Sequence, residues 1–260
     1  MGHTRLQLAL TPMPGISKLS ICVPSYKGAT RLPKLMASLA ENGIVNGRAL
    51  YGDGPLDAEV LVCDDGSPDN TPDESSLEGV RFFKHTVNLG CVAAYADLVA
   101  AATGEVVLLM DDDALMPAGF MASILTVMGL PNVGAASWKS YGCRPGQALE
   151  AHTGFLEPAT QIAGYCMTFR RRVFDAVGGF DRRFRTYCGD SDLALRMTLA
   201  GHPSYRVWWP LVPHEEHASM TDGERSAVAS QDIAAFLDKW GATGEEMERR
   251  ALARLRGAAT

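Results

Sequence analysis

The chain has no long hydrophobic run. Its apolar stretches stop well short of the roughly 20 residues that a membrane-spanning helix needs, and Leu6–Leu10 is too short for the core of a secretory signal. Paired cysteines are missing as well. The six, at positions 22, 63, 91, 143, 166 and 188, contain no C-x-x-C motif. That argues against a disulfide framework, and with Cys22 and Cys63 inside apolar runs it predicts a reduced, cytoplasmic set of thiols. Basic character is scarce: 24 Lys and Arg face 30 Asp and Glu, for a net charge of −6. No cationic stripe is available to neutralise a nucleic-acid backbone. No internal repeat or low-complexity block interrupts the sequence. What is present, 260 residues of which 47% are apolar and 21% charged, suffices for one large domain or two intimately joined halves.

One stretch organises the rest. Val106 to Met110 is a continuous apolar run, long enough for a strand buried on both faces, and it ends in three adjacent carboxylates, Asp111, Asp112 and Asp113. Adjacent like charges repel, so a fold tolerates them in water or beside a cation. Hard divalent ions such as Mg²⁺ and Mn²⁺ take carboxylate, phosphate and water oxygens. An open α/β sheet binds its ligands outside the carboxyl ends of the strands, where this triplet falls. Taken alone, the triplet fits a solvated acidic turn equally well.

The flanking sequence alternates strands and helices. Strands are expected at Leu19–Val23, Glu59–Cys63, Val80–Lys84 and Val106–Met110. Between them, Thr30 is expected to cap a helix bearing Leu32, Leu35, Met36 and Leu39, and Asn88 one bearing Val92, Tyr95, Ala96 and Val99. Residues 44–57 read as a loop. This pattern predicts an α/β fold with a mostly parallel central sheet flanked by helices. Two strands then end in acidic loops on one side of the sheet, Asp64–Asp65 and the triplet. Beyond Pro117 the expectation is a helix to about Met128, a mixed β region over 133–169, short helices over 170–177 and 191–200, and a last strand at Tyr205–Trp209. A charged helical tail follows, docking through Phe236, Leu237 and Trp240. Residues 1–17 read as a loose leader.

Five blocks in this order, "VPSYKGATRL", "VLVCDDGSPDNT", "NLG…A…ATGEVVLLMDDDALMP", "RRVFDAVGGFDRRF" and "CGDSDLALRMTLAG", resemble the family 2 glycosyltransferases. The resemblance spans about residues 18–220. It implies the GT-A (Rossmann-like) nucleotide-sugar transferase fold, with a nucleotide-binding half at 18–117, an acceptor half at 118–220, and 221–260 as the tail. It also implies transfer of a sugar from a nucleotide diphosphate sugar to an acceptor, usually with inversion and with Mn²⁺ or Mg²⁺.

Residue by residue, the resemblance places Pro24, Ser25 and Tyr26 against the nucleotide base and ribose. It makes Asp65 the carboxylate that accepts the uracil N–H, which favours a UDP-sugar, while Asp64 reads as an ordinary Asx-turn. The triplet matches the D-x-D metal motif in two registers. Asp111 and Asp113 satisfy the literal spacing, whereas counting back from Pro117 prefers Asp112 and Asp113. Either way a carboxylate-held cation bridges the diphosphate and stabilises the leaving nucleotide. Asp190 matches the catalytic base, although "CGD" replaces the commoner "GED"; helix capping is the competing role. Asp192 reads as a helix cap or a first-turn charge. His214 and His217 are candidate further metal or phosphate contacts, and equally fit exposed loop histidines. Gly178–Asp181 matches an acceptor-side loop. Trp208 and Trp209 fit either a sugar platform or a core, and Arg170–Arg172 a solvated helix face.

The expected activity is metal-dependent transfer of a single sugar to an acceptor hydroxyl, the acceptor being open among protein, glycan, lipid-linked sugar and small molecule. Without a membrane span, processive export of a polymer is not expected. A nucleotidyltransferase would carry a glycine-rich basic phosphate loop after the first strand, which "VPSYKGATRL" lacks. A non-catalytic sugar-nucleotide-binding scaffold of the same fold is the other rival, and would be favoured by loss of the metal carboxylates or the base; both are present.

Overall fold

A computed structural model of the chain describes residues 16–45, 48–51, 54–72, 77–142, 155–215 and 220–258. In chain order the elements are β1 (Lys18–Ser25), α1 (Leu32–Glu41), β2 (Ile44–Val45), β3 (Arg48–Tyr51), β4 (Gly54–Asp64), β5 (Val80–Lys84) and α2 (Cys91–Ala101). There follow β6 (Val106–Met110), α3 (Phe120–Gly129), β7 (Ala135–Gly142), β8 (Leu156–Pro158), β9 (Cys166–Arg170) and α4 (Arg171–Ala176). The last are α5 (Gly189–Leu199), β10 (Ser204–His214), α6 (Asp222–Trp240) and α7 (Gly244–Ala258).

These strands form one sheet in the order β2-β3-β4-β1-β6-β9-β7-β10-β8, with β5 also on β4. Pairing is parallel through β5-β4-β1-β6 and again between β7 and β10; the remaining pairs are antiparallel. The expected α/β sheet flanked by helices is therefore present, with its parallel pairing concentrated in the first half. The stretch read as a loop over 44–57 differs. It folds into β2, β3 and the start of β4, because the long strand β4 offers its outer edge to β3 first and to β5 later.

Strand β6 explains its own sequence. It lies between β1 and β9, and all five of its residues are buried. Successive strand side chains point to opposite faces, so Val106, Leu108 and Met110 enter one core with α1 and α3. Val107 and Leu109 enter the other with α2, α4 and α5. A run with no polar alternation is what a two-sided burial requires.

Two helix starts differ from expectation. Arg31, not Thr30, is the N-cap of α1, and Gly90, not Asn88, that of α2, neither with a side-chain cap. Arg31 and Asn88 are instead engaged in tertiary bonds described below. The arginines at 170 and 171, read as a solvated face, turn inward: they bond the carbonyls of Met128, and of Val99 and Ala102. Helices α6 and α7 pack through Phe236, Met247 and Ala251 against Val92, Phe184 and Leu195. Of the expected docking residues Phe236 is buried and Trp240 packs beside it, whereas Leu237 points largely to solvent. Removing a fully buried strand side chain leaves a cavity as well as losing transfer energy. Leu108→Ala is expected to cost about 2–5 kcal/mol in a denaturant titration at unchanged slope.

Candidate active site

Because β4, β1 and β6 run parallel as neighbours, their carboxyl ends open on one edge of the sheet. The three loops that leave them line a cleft of about 610 Å³, with Ser25, Tyr26, Asp65, the Asp triplet, Asp190 and His214 among its walls. Sequence-distant candidates thus share one cavity.

The first loop is held from below. Ser25 Oγ donates to Asp112 Oδ2 at 2.6 Å, and Arg31 meets the same carboxylate, Nε to Oδ1 at 3.0 Å and Nη2 to Oδ2 at 3.3 Å. Arg31 also donates to the Tyr26 carbonyl at 2.8 Å. The contacts leave no room above Gly28, where a Cβ would stand 2.0 Å from Ser25 Oγ and 2.5 Å from Asp112 Oδ2. Burial pushes the Asp112 carboxyl up, against the pull of Arg31 and Ser25. Asp112 is consequently a buried ion-pair partner tying β1 and α1 to the end of β6. The register that preferred Asp112 and Asp113 is not the one this geometry favours.

At the end of β4 the roles divide. Asp64 Oδ1 accepts the Ser67 N–H at 2.9 Å, the expected Asx-turn, and Lys84 Nζ lies 2.9 Å from its Oδ2. Asp65 faces the other way. Its Oδ1 accepts the Leu89 N–H at 2.8 Å beside His85 Nδ1 at 2.7 Å, and its Oδ2 accepts the Gly90 N–H at 2.8 Å. Asp65 lines the cleft while being almost fully buried. Gly90 has a φ of +96°, and a Cβ there would fall 2.6 Å from the Arg185 carbonyl oxygen, so glycine alone fits.

Asp111, Asp113 and His214 come together instead, each offering a ligand atom within 4.8 Å of the others'. Strand β10 runs on past the expected end at Trp209 and delivers His214 as its last residue. Backbone bonds Leu115 N–H to Pro213 O and Glu215 N–H to Asp113 O, both 2.9 Å, lace it to the triplet. The His214 ring stacks on Tyr165 at 4.2 Å, and Tyr165 is fixed by its hydroxyl donating to the Trp138 carbonyl at 2.6 Å. Asp113 Oδ1 is buried and receives no hydrogen bond among the described residues, while His214 Nε2 faces it at 3.0 Å. Two carboxylates and an imidazole nitrogen brought within a short distance of one another form a donor set that fits a divalent cation. His217 lies outside the described residues.

Tyr95, which the sequence reading placed only on the apolar face of α2, donates its hydroxyl to Asp111 Oδ1. It also lies 3.3 Å from the Gly164 carbonyl oxygen. Gly164 N–H in turn donates to Asp190 Oδ2 at 2.7 Å. A chain of two residues therefore connects the acidic cluster to the base candidate. Asp190 lies in the first turn of α5, where Cys188 and not Asp190 is the N-cap. Burial raises its pKa, and the backbone N–H groups of Ser191 and Gly164 pull it back. Asp192 is a first-turn charge as expected, fully buried and paired with Arg196. Phe180 lines the cleft, whereas Asp181 pairs with Arg183 and Lys239. Trp209 is 66% exposed; the Lys139 ammonium lies over the Trp208 ring. The missed residues each had a signal of one kind: a buried Tyr hydroxyl or Arg guanidinium requires a partner, as at Tyr95 and Arg31.

Residues 20–178 match the family described as Glycosyl transferase family 2. The match takes in more than half of the chain, and the chain belongs to that family. Among solved structures it is similar to the mannosyltransferase PcManGT from Pyrobaculum calidifontis in complex with GDP-Man and Mn²⁺, with a TM-score of 0.66 and 19% identity over 94% of this chain and 70% of that one. It is also similar to S. aureus TarS 1–349 in complex with UDP, with a TM-score of 0.57 and 17% identity over 92% of this chain and 70% of that one. The TarS 1–349 complex with UDP-GlcNAc gives a TM-score of 0.57 and 16% identity over 92% and 71% of the two chains. At such identities the likeness is one of fold, and that fold is GT-A. In sequence the chain is 27% identical over 244 residues to the uncharacterized protein y4gI of Sinorhizobium fredii (strain NBRC 101917 / NGR234). That alignment takes in 81% of this chain and 26% of the relative, so the chain spans about a quarter of that protein's length.

Two outcomes follow from the electrostatics. Burial, and then the neighbouring Asp113, push the Asp111 carboxyl up to about 7. Between about pH 4 and that value the folded metal-free protein keeps a proton that the unfolded chain has released, so its stability falls as pH rises through the window. Melting curves in EDTA should show this decline. Removing one partner of the buried Arg31–Asp112 pair leaves a lone buried charge. Arg31→Ala is expected to cost about 3–5 kcal/mol in a denaturant titration.

Proposed function

We propose that this domain is a metal-dependent, inverting glycosyltransferase that moves one sugar from a nucleotide diphosphate sugar to an acceptor hydroxyl. The observation that carries the reading is the meeting of Asp111, Asp113 and His214 with Asp190 in one cleft. Asp111, Asp113 and His214 would hold the cation, and its imidazole ligand favours Mn²⁺ over Mg²⁺. When bound, that ion neutralises the donor diphosphate and the charge that builds on the departing nucleotide.

The chain's own residues do the rest. Pro24, Tyr26 and Asp65 form the wall for the base and ribose, and Ser25 fixes that wall through Asp112. A uracil N–H suits Asp65, which favours UDP. That PcManGT is described with GDP-Man and TarS with UDP-GlcNAc supports a nucleotide sugar as donor. Asp190 takes the proton from the acceptor hydroxyl as the new C–O bond forms at the anomeric carbon. The bond from that carbon to the diphosphate oxygen breaks on the opposite face, and the nucleoside diphosphate leaves with the electron pair. Burial makes Asp190 a stronger base than an exposed carboxylate. A cytoplasmic setting fits Cys22, Cys63, Cys91, Cys166 and Cys188, all free thiols. No described helix is long and apolar enough to cross a membrane.

The test is a thermal-shift screen of UDP-, GDP- and dTDP-sugars with and without Mn²⁺. A ligand at 100 times its Kd raises stability by about 2.7 kcal/mol, so a true donor is visible. One sugar nucleotide should stabilise the wild type in a Mn²⁺-dependent way, and Asp113→Ala should abolish the effect. Asp190→Asn should keep the stabilisation and lose about 10²- to 10⁴-fold in turnover. Full turnover in Asp190→Asn would remove Asp190 from the mechanism, and a cooperative melt indifferent to every donor would favour a non-catalytic domain.

A further inference from the structure

Two loops decide where Asp190 stands. One is 185–188, which leads into α5 and passes through Cys188 at a φ of +64°. The other is 159–165, which carries the Gly164 N–H that holds Asp190 Oδ2 at 2.7 Å. Both loops are gripped by carboxylates from the C-terminal helices. Asp232 on α6 is 2% exposed and accepts the N–H groups of Arg185, Thr186 and Tyr187 at 2.9, 2.9 and 2.7 Å. Glu248 Oε2 on α7 accepts those of Thr160 and Gln161 at 2.5 and 2.8 Å. A third contact falls on the base's own turn, where Lys239 Nζ and Trp240 Nε1 reach Asp192 Oδ1 at 2.6 and 2.9 Å.

Docking alone does not call for this. The apolar cluster of Phe236, Met247 and Ala251 with Val92, Phe184 and Leu195 already attaches the helices. A carboxylate that collects successive backbone N–H groups does something different: it fixes the course of the loop that supplies them. Here both loops so fixed converge on one side chain. The N-terminal part of α6 also lines the cleft through Glu224 and Val228, so the helix faces the chemistry it braces.

We propose that the helix pair α6–α7 is a positioning element for the base, with Asp232 and Glu248 as the positioning residues that set the two loops around Asp190. The inference rests on the reading of Asp190 as base. It requires that loosening either grip disturb the base side of the cleft. The donor side is built by β1, β4 and β6 and meets the loop that Asp232 holds through Arg185, which bonds Asn88 and Leu89, so the Glu248 grip is the one whose loosening should spare it.

The experiment compares full-length wild type with Asp232→Asn and Glu248→Gln, and with Ile233→Ala on the exposed side of α6 as control. Three readouts are taken: affinity for UDP and for GDP with Mn²⁺, release of nucleotide from UDP-GlcNAc and GDP-mannose across pH, and amide hydrogen exchange. Both variants should lower kcat by about 10- to 100-fold, since small misplacements of a reacting group cost that much, and Glu248→Gln should keep wild-type nucleotide affinity and donor KM. The acid limb of the Glu248→Gln rate profile should move to higher pH as Gly164 loosens its bond to the carboxylate. Exchange should quicken at 160–165 and 185–191 and stay unchanged at 60–65. Ile233→Ala should match wild type throughout. Unchanged exchange in both loops would overturn the proposal whether or not the probe donors turn over. So would a loss of nucleotide affinity in step with kcat in Glu248→Gln, which marks general damage. Should Asp190→Asn turn over like wild type, the base reading fails, and the exchange data still decide whether the helices set the loops.

Discussion

Three carboxylates at the end of a strand buried on both faces are an electrostatic problem, and the surrounding fold is arranged around its solution. Each charge is met differently. Asp112 turns down and is neutralised by Arg31 and Ser25. Asp111 takes a hydroxyl from Tyr95, and Asp113 is left facing His214. The middle residue secures the platform on which its two neighbours converge with His214. Asp112 supplies the brace that keeps them on the rim of the sheet.

Local pattern made the first half of the sheet legible. The apolar runs of β1, β4, β5 and β6, and the acidic turns behind two of them, follow from burial and turn chemistry that the sequence carries residue by residue. The Asx-turn at Asp64 was legible for the same reason: Ser67 stands at the spacing that such a turn needs.

Non-local contacts were not legible. Nothing local says that Asp112 rather than Asp111 meets Arg31, because that choice is made by the packing of α1 across β1. Thr30 and Asn88 have good capping side chains, yet Arg31 is drawn off by Asp112, and the Asn88 side chain accepts from Arg185. His214 looked like a loop residue because β10 is irregular, and the strand pattern breaks off at Trp209. The helices beyond Asp222 looked like an appendage, since the carboxylates that join them to the cleft bind backbone, which leaves no complementary side-chain signature in the sequence.

The irregularity in β10 reaches further than its effect on prediction. Between Val207 and Val212 this strand advances five residues while its partner β7 advances two. In an unbroken strand, residues five apart face opposite ways. Here both valines enter the same core. The surplus thus works as a phase-shifter: it resets the alternation midway, and His214, two residues past Val212, inherits the new phase. Gain or loss of a single residue within 208–211 would leave the strand paired but carry its terminal imidazole to the opposite side of the sheet. The length of this stretch is what keeps His214 beside Asp111 and Asp113.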